Sequence, residues 1–403
     1  MKLTFNLKGR TYVLIASILF LITFIVYYFT GEGHSPWYNN FVRLADAMLH
    51  GRVYFPENIS GLELAYYNDR YFIIPPPLPG ILILPIVAIF GLTFNQALAS
   101  VFLGALNVSL AYLVTTKITK NQHIQIWCTI LFGFGTIHWW LAATGWVWFY
   151  SQITSVTFIL LAIYTTLCHK NIFLSGLFLG ASFWSRLQTI LSFPFFLIMY
   201  SKKWLNKSEG STFIKRINIR ALISFGVGVG IFVVLNFIYN YIRYDTIWDV
   251  SDYYRPGILD ESIFQKGKFD ITYIPRHLKV IFGGLPIFLS EPPYIKPHGW
   301  GLSIFITTPA FIYSIFANLK DKLTLACWAA IIPVALLTFS HGGTGWWAFG
   351  YRHAVDYYPF LLILTVKGMG DNIRWHHKFL ISLSILVNLW GVIWFNKIGL
   401  LGN

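Results

Sequence analysis

The chain has 403 residues, of which 56% are hydrophobic and 11% charged, with a mean hydropathy of +0.59. Ordinary soluble domains carry roughly a quarter charged residues, so this composition excludes a soluble enzyme and points to an integral membrane protein. The formal charge of +14 needs no nucleic-acid partner, because orientation in a membrane accounts for it.

Apolar runs of the length a helix needs to cross about 30 Å of hydrocarbon recur throughout, whereas the short alternating segments of a membrane barrel do not. The expected fold is all-α: a polytopic helix bundle of about 11 spans, one integral domain over residues 1–403. The first span, 11–29, follows Lys2, Lys8 and Arg10 and is read as a retained helix with the N-terminus cytoplasmic. A first outer loop follows, 32–94, ending in an apolar run at 78–91 that is short for a span and reads as an outer-surface or partly embedded helix. Spans 2 to 7 are expected at 95–116, 124–143, 147–167, 171–184, 188–200 and 221–241. A second outer loop occupies 242–300, and spans at 301–318, 324–340, 357–370 and 379–396 complete the bundle with Asn403 outside. This threading puts about 17 of the 30 cations but only 3 of the 16 carboxylates inside, as the positive-inside rule requires. Chemistry is therefore sought outside, where the carboxylates are. A bacterial or archaeal plasma membrane is the expected location. The three cysteines lie within or at the ends of apolar spans, without metal-ligand spacing.

Several outer segments could carry chemistry. Trp37, Phe41, Leu44, Ala45, Met48 and Leu49 recur at helical spacing and predict an interfacial helix over 36–50, with Asn39, Asn40, Arg43 and Asp46 on its other face. Glu32 precedes it at the exit of span 1. The run Tyr66–Tyr67–Asn68–Asp69–Arg70–Tyr71 before Pro75, Pro76 and Pro77 predicts a tight reversal with a polar tip. Its bland reading is a turn with aromatic anchors; its functional reading is a sugar and lipid-phosphate platform that includes Tyr67 and Tyr71. Arg186 breaks two apolar runs, either to snorkel to headgroups or to meet an anion. The second loop offers Asp245, Asp249, Asp252 and Arg255, then Arg276, His277, Lys279, Glu291, Lys296 and His298, with an interfacial helix at 273–289. Its histidines lack tight metal spacing, so no metal ligand is assigned and a divalent-ion cofactor is not indicated. Last, GGTGWWAFGYRHAVDYYPF at 342–360 collects Arg352, His353 and Asp356 with Trp346, Trp347, Tyr351, Tyr357 and Tyr358, among glycines that allow close backbone approach. Arg352 and Asp356, four apart, are also placed to pair on one helix face.

The order of basic N-terminus, span, loop helix ending in AMLHG, Tyr-containing turn, PPPLPG and apolar helix resembles the GT-C superfamily of membrane glycosyltransferases, which includes the protein O-mannosyltransferases and the lipid A aminoarabinose transferase. GWWAFGYRHAVDYYPFLLIL is similar to a later segment of that superfamily. The resemblance implies transfer of a sugar from a polyprenyl-phosphate donor, on the outer face, to a lipid, glycan or protein hydroxyl. A first-loop carboxylate would act as base, and basic residues would receive the phosphate. Here Trp37 and Tyr38 stand where the superfamily usually has an acidic pair, leaving Glu32, Asp46 and Asp69 as candidate bases and Arg186, Arg276 and Arg352 as candidate donor contacts. Asn39, Asn40, Tyr67, Tyr71, His298, Tyr351 and Asp356 complete the expected substrate contacts. The alternative classes are a transporter or flippase and a non-catalytic binder of lipid-linked glycan. A transporter predicts charges near the middle of spans, and spans 2 to 4 and 7 to 9 have none there.

Overall fold

A computed structural model describes residues 7–168, 171–204, 218–345 and 348–398. The basic segment expected between spans 6 and 7 lies largely outside these, as do Lys2, Trp346, Trp347 and Asn403.

Among the described residues, six helices are long and apolar enough to cross a bilayer, or seven if a bent pair counts as one span. They are α1 (Leu7–Thr30), α4 (Gln96–Ile118), α7 (Val147–Cys168), α10 (Ile219–Tyr244), α12 (Lys322–Phe339) and α14 (Trp375–Ile393). The remaining apolar runs fold as shorter pieces, for local reasons. The 124–143 run splits into α5 (Gln122–Phe134) and α6 (His138–Thr144) with a 49° bend; Gly135 sits at the break and Thr136 Oγ1 donates to Phe132 O. Around Pro194, Pro309 and Pro359, where the backbone has no N–H to donate, the runs become 3-10 turns joined to short helices. These include α9 (Phe193–Met199) and α13 (Tyr358–Met369). The chain is a multi-pass membrane protein.

Helices α4 and α7 are the centre, about 70% buried over their apolar windows, whereas α10 is 17% buried over its own and packs only one face on the bundle. Helix α8 (Ile172–Phe183) lies between α7 and α10. It approaches α10 so closely that a Cβ on Gly176 would fall 2.3 Å from Phe225 O, and one on Gly228 2.5 Å from Phe173 O. Small residues replace side-chain packing there by backbone contact, the usual way apolar helices associate where no hydrophobic force separates them from lipid. A buried polar clamp ties α1 to the middle of the bundle: Tyr27 Oη donates to Gly133 O at 2.5 Å and lies 3.2 Å from His138 Nδ1.

The loop helix α2 (Asn40–Leu49) begins later than the expected 36. Trp37 is outside it and 80% exposed, while Phe41, Leu44 and Ala45 are fully buried. They pack against α3 (Leu78–Phe90) and the start of α7, including Val147 and Tyr150. Burying Phe41 and Leu44 contributes about 1.5–3 kcal/mol each, which fixes the first loop on the bundle. The expected reversal is a hairpin of β1 (Leu64–Tyr67) and β2 (Arg70–Ile73). Its two turn residues, Asn68 and Asp69, have φ of 49° and 55°, a conformation that these two side chains tolerate. The second loop holds α11 (Ile274–Gly283), ending earlier than the expected 289. It joins the 342–360 segment through a parallel pair, Trp300–Leu302 with Ala348–Gly350.

Candidate active site

The hairpin end, the second loop, the start of α7, the break after α8 and the 341–353 segment enclose a cavity of about 1050 Å³. Its wall carries four cations, Arg186, Arg255, Lys268 and Arg352, and four carboxylates, Glu63, Asp249, Asp252 and Glu261.

Most of these charges are paired. Arg255 Nη2 donates to Glu63 at 2.7 Å, and Lys268 pairs with Asp252. Arg186 leaves α8 in extended conformation and donates from Nη2 to Asp356 Oδ2 at 3.1 Å; Gln188 Nε2 donates to the same oxygen at 2.8 Å. Arg186 therefore turns inward rather than snorkelling, and Asp356 is fully buried beneath it. Arg352 and Asp356 do not pair. Residues 352–357 form a 3-10 turn, where three residues, not four, return to the same face.

Arg352 is thus the cavity cation with no carboxylate partner among the described residues. Its Nε and Nη1 are buried without a hydrogen bond, and its guanidinium lies 5.9 Å from the Trp148 ring centre and 5.7 Å from that of Phe149. Burial first, then repulsion from Arg186, brings its pKa down to about 10, against the attraction of Glu63 and Asp356. It stays charged at neutral pH. Gly345, at φ +104°, makes room for it: a Cβ there would stand 3.1 Å from Arg352 Nε. Burying a cation with unused donors is costly, and an anion in the cavity would relieve that cost.

Glu63 faces the same space. Burial pushes its carboxyl above the ordinary range, opposed by Arg255 and Arg352, which makes it a better base than a solvated glutamate. The imidazoles nearby are neutral. His277 Nε2 donates to His341 O at 2.7 Å, so its Nδ1 accepts from Tyr351 Oη at 2.6 Å; burial lowers His277 and His341 to about 4. His353 lines the cavity with both ring nitrogens unpartnered, and burial holds its pKa well below the usual value.

Of the residues singled out in the sequence, Arg186, Asp249, Asp252, Arg255, Arg352 and His353 are in the wall, Asp356 orients Arg186 and Tyr351 orients His277. Glu32 lies outside the lining, and burial raises its carboxyl. The remaining expected bases and substrate contacts lie outside the lining. Asp46 is 3.8 Å from His50, and Asp69 accepts from Tyr66 Oη at the exposed hairpin tip. Asn39 accepts from Arg43, and Asn40 is buried with Oδ1 unpartnered. Tyr67 donates to Asp245, and the Tyr71 ring lies tilted against that of Tyr66, 4.9 Å between centres. Arg276 donates to Ile263 O, and His298 Nδ1 accepts from Trp300 N. Sequence reasoning passed over Glu63, Gln188, Lys268 and His341. Glu63 left one signal, a lone acid between leucines in GLELAYY, where the strand-forming pattern has no use for a charge. Among the described residues, no group of three or more His, Cys, Asp or Glu is arranged to hold a metal ion.

No protein-family profile matches the chain, and no curated protein matches its sequence. Among solved structures, ArnT from Cupriavidus metallidurans bound to undecaprenyl phosphate superposes with a TM-score of 0.52 at 11% identity, over 91% of this chain and 61% of that one. The chain therefore spans about three fifths of that protein's length. The oligosaccharyltransferase of Archaeoglobus fulgidus, tethered with an acceptor peptide, matches with a TM-score of 0.43 at 12% identity, over 95% of this chain and 54% of that one. With the loop helix, the Pro-led apolar helix and the cavity between the two large loops, the chain shares the membrane fold of ArnT over most of its own length.

Proposed function

We propose that this protein is a membrane glycosyltransferase that moves a sugar from a polyprenyl-phosphate-linked donor to an acceptor hydroxyl. The observation that carries this reading is Arg352, a charged guanidinium with buried unused donors in a large cavity. A phosphate supplies both the charge and the acceptor oxygens that it lacks. The structural neighbour ArnT was solved with undecaprenyl phosphate, which supports the same ligand class.

In the reaction, the acceptor oxygen attacks the anomeric carbon while the bond from that carbon to the phosphate oxygen breaks. The electron pair leaves with the phosphate, which Arg352 receives, with Arg186 adding positive potential from behind. The acceptor proton passes to the carboxylate of Glu63, which we favour over Glu32, Asp46 and Asp69 because Glu63 alone of the four lines the cavity. The two loops at 32–94 and 242–300 would then lie on the outer side, with the N-terminus cytoplasmic.

The test is transfer of radiolabelled sugar from polyprenyl-phosphate donors by purified protein in liposomes, with donor binding measured separately. Glu63→Gln is expected to bind donor and fail to transfer; Arg352→Gln is expected to lose donor affinity by about tenfold or more, the worth of a charge-assisted hydrogen bond. Unchanged donor affinity in Arg352→Gln would sink the reading.

A further inference from the structure

A second, smaller pocket of about 370 Å³ opens beside the cavity, lined by Tyr66, Tyr253, Tyr254, Arg255, Pro256, Gly257, Leu259 and Asp260. Arg255 and Leu259 belong to both walls. The volume falls within the roughly 300–1,000 Å³ of small-molecule sites.

Its three tyrosines come from two parts of the chain, Tyr66 from the hairpin and Tyr253 and Tyr254 from the second loop. Tyr66 N donates to Tyr254 O at 2.7 Å, fastening the hairpin to the second loop. The Tyr66 hydroxyl is committed to Asp69, and the Tyr254 ring lies against Tyr67 and Tyr244 at 4.7 and 5.6 Å. Tyr253 remains 66% exposed. Aromatic rings that only anchor a protein at a bilayer surface have no reason to converge on a concavity with a carboxylate and a guanidinium at its edge. A pyranose ring does fit such a place: its C–H face is apolar and suits a tyrosine floor, and its hydroxyls need the donor and acceptor at the rim.

We propose that this pocket is a subsite for a saccharide unit of the acceptor, so that the molecule glycosylated in the cavity is itself a glycan. The inference rests on the transferase reading of the adjoining cavity. The shared residue Arg255 bridges the two, contacting Glu63 on the cavity side. A glycan held on the tyrosines thus continues past Arg255 and presents its next hydroxyl to Glu63. A proline-rich peptide is the competing occupant of an aromatic groove; the open edge of Asp260 and Arg255 and the sugar chemistry next door favour the saccharide.

The experiment uses the full chain in lipid nanodiscs. Maltose, cellobiose, chitobiose and α-1,6-mannobiose are titrated by saturation-transfer NMR, with sorbitol and a Pro-rich decapeptide as controls and polyprenyl-phosphate binding followed in parallel. At least one disaccharide is expected to bind, with affinity about fivefold or more weaker in Tyr253→Ala, the size of one aromatic contact. Tyr253→Trp is expected to restore it, since only the ring face is needed. Polyprenyl-phosphate affinity should not change in either variant, and Tyr253 is exposed enough that neither should disturb folding. The proposal is overturned if no disaccharide binds, if the decapeptide binds and the disaccharides do not, or if Tyr253→Ala leaves disaccharide affinity unchanged. Failure of the wild-type protein to bind polyprenyl phosphate counts against the transferase reading instead, so the two failures are read apart.

Discussion

Replacing Asp356 by Asn should uncouple the stability of the site from its affinity for phosphate. Asp356 is fully buried and Arg186 nearly so, and their contact at 3.1 Å is backed by Gln188 on the same oxygen. Asn keeps the volume and one acceptor but removes the charge, leaving the Arg186 guanidinium uncompensated beside Arg352. Breaking a buried pair from one side costs about 3–5 kcal/mol, because the surviving charge has neither partner nor water. Adding Arg186→Gln removes that charge, so the double variant should regain much of the loss, with a coupling energy of roughly 2 kcal/mol or more in a double-mutant cycle. Donor affinity should move in the opposite sense in the single variant, since removing a carboxylate makes the phosphate site more positive. Thermal unfolding in detergent, together with polyprenyl-phosphate titration of all four proteins, measures both. If Asp356→Asn unfolds with the wild type, or if the two changes are additive, the pair does not hold this corner of the cavity.

Arg255 lowers the Glu63 carboxyl against the raising effect of burial. A base must be deprotonated, so the acid limb of the transfer rate should lie above the ordinary value of 4.5 and move to still higher pH in Arg255→Gln. The folded protein favours protonated Glu63, so this group's contribution to stability is present at low pH and lost as pH rises through its folded pKa. A pH–rate profile whose acid limb does not move on removing Arg255 refutes this assignment. Gly345→Ala puts a Cβ 3.1 Å from Arg352 Nε at a φ of +104°. It should cost about 1–3 kcal/mol in strain and weaken donor binding, checked by unfolding and by the same titration.

The candidate site was partly legible in the sequence. Arg186 stood out because a cation between two apolar runs demands a reason, and Arg352 with Asp356 stood out in a Gly- and aromatic-rich segment. Their pairing was not legible, because helical spacing suggested a local ion pair and the 3-10 turn sends the two side chains apart. Asp46 and Asp69 drew notice as first-loop acids, yet one faces His50 and the other tips the hairpin. Glu63 drew none, since its importance comes from Arg255, nearly two hundred residues away.

Sequence by itself determined that this chain lives in a membrane, that it is helical, where its apolar runs lie, and that two polar loops interrupt them, because hydropathy and the need to satisfy backbone hydrogen bonds in lipid act locally along the chain. It also determined the tight reversal at 66–71, whereas the runs around Pro194 and Pro309, read as spans, are broken into 3-10 segments and short helices in the structure. Tertiary structure alone decided which charges meet. Ion pairing and desolvation depend on distances between segments far apart in sequence, and among the described residues these leave Arg352 without a carboxylate partner, Glu63 turned into the cavity and three tyrosines gathered at its edge.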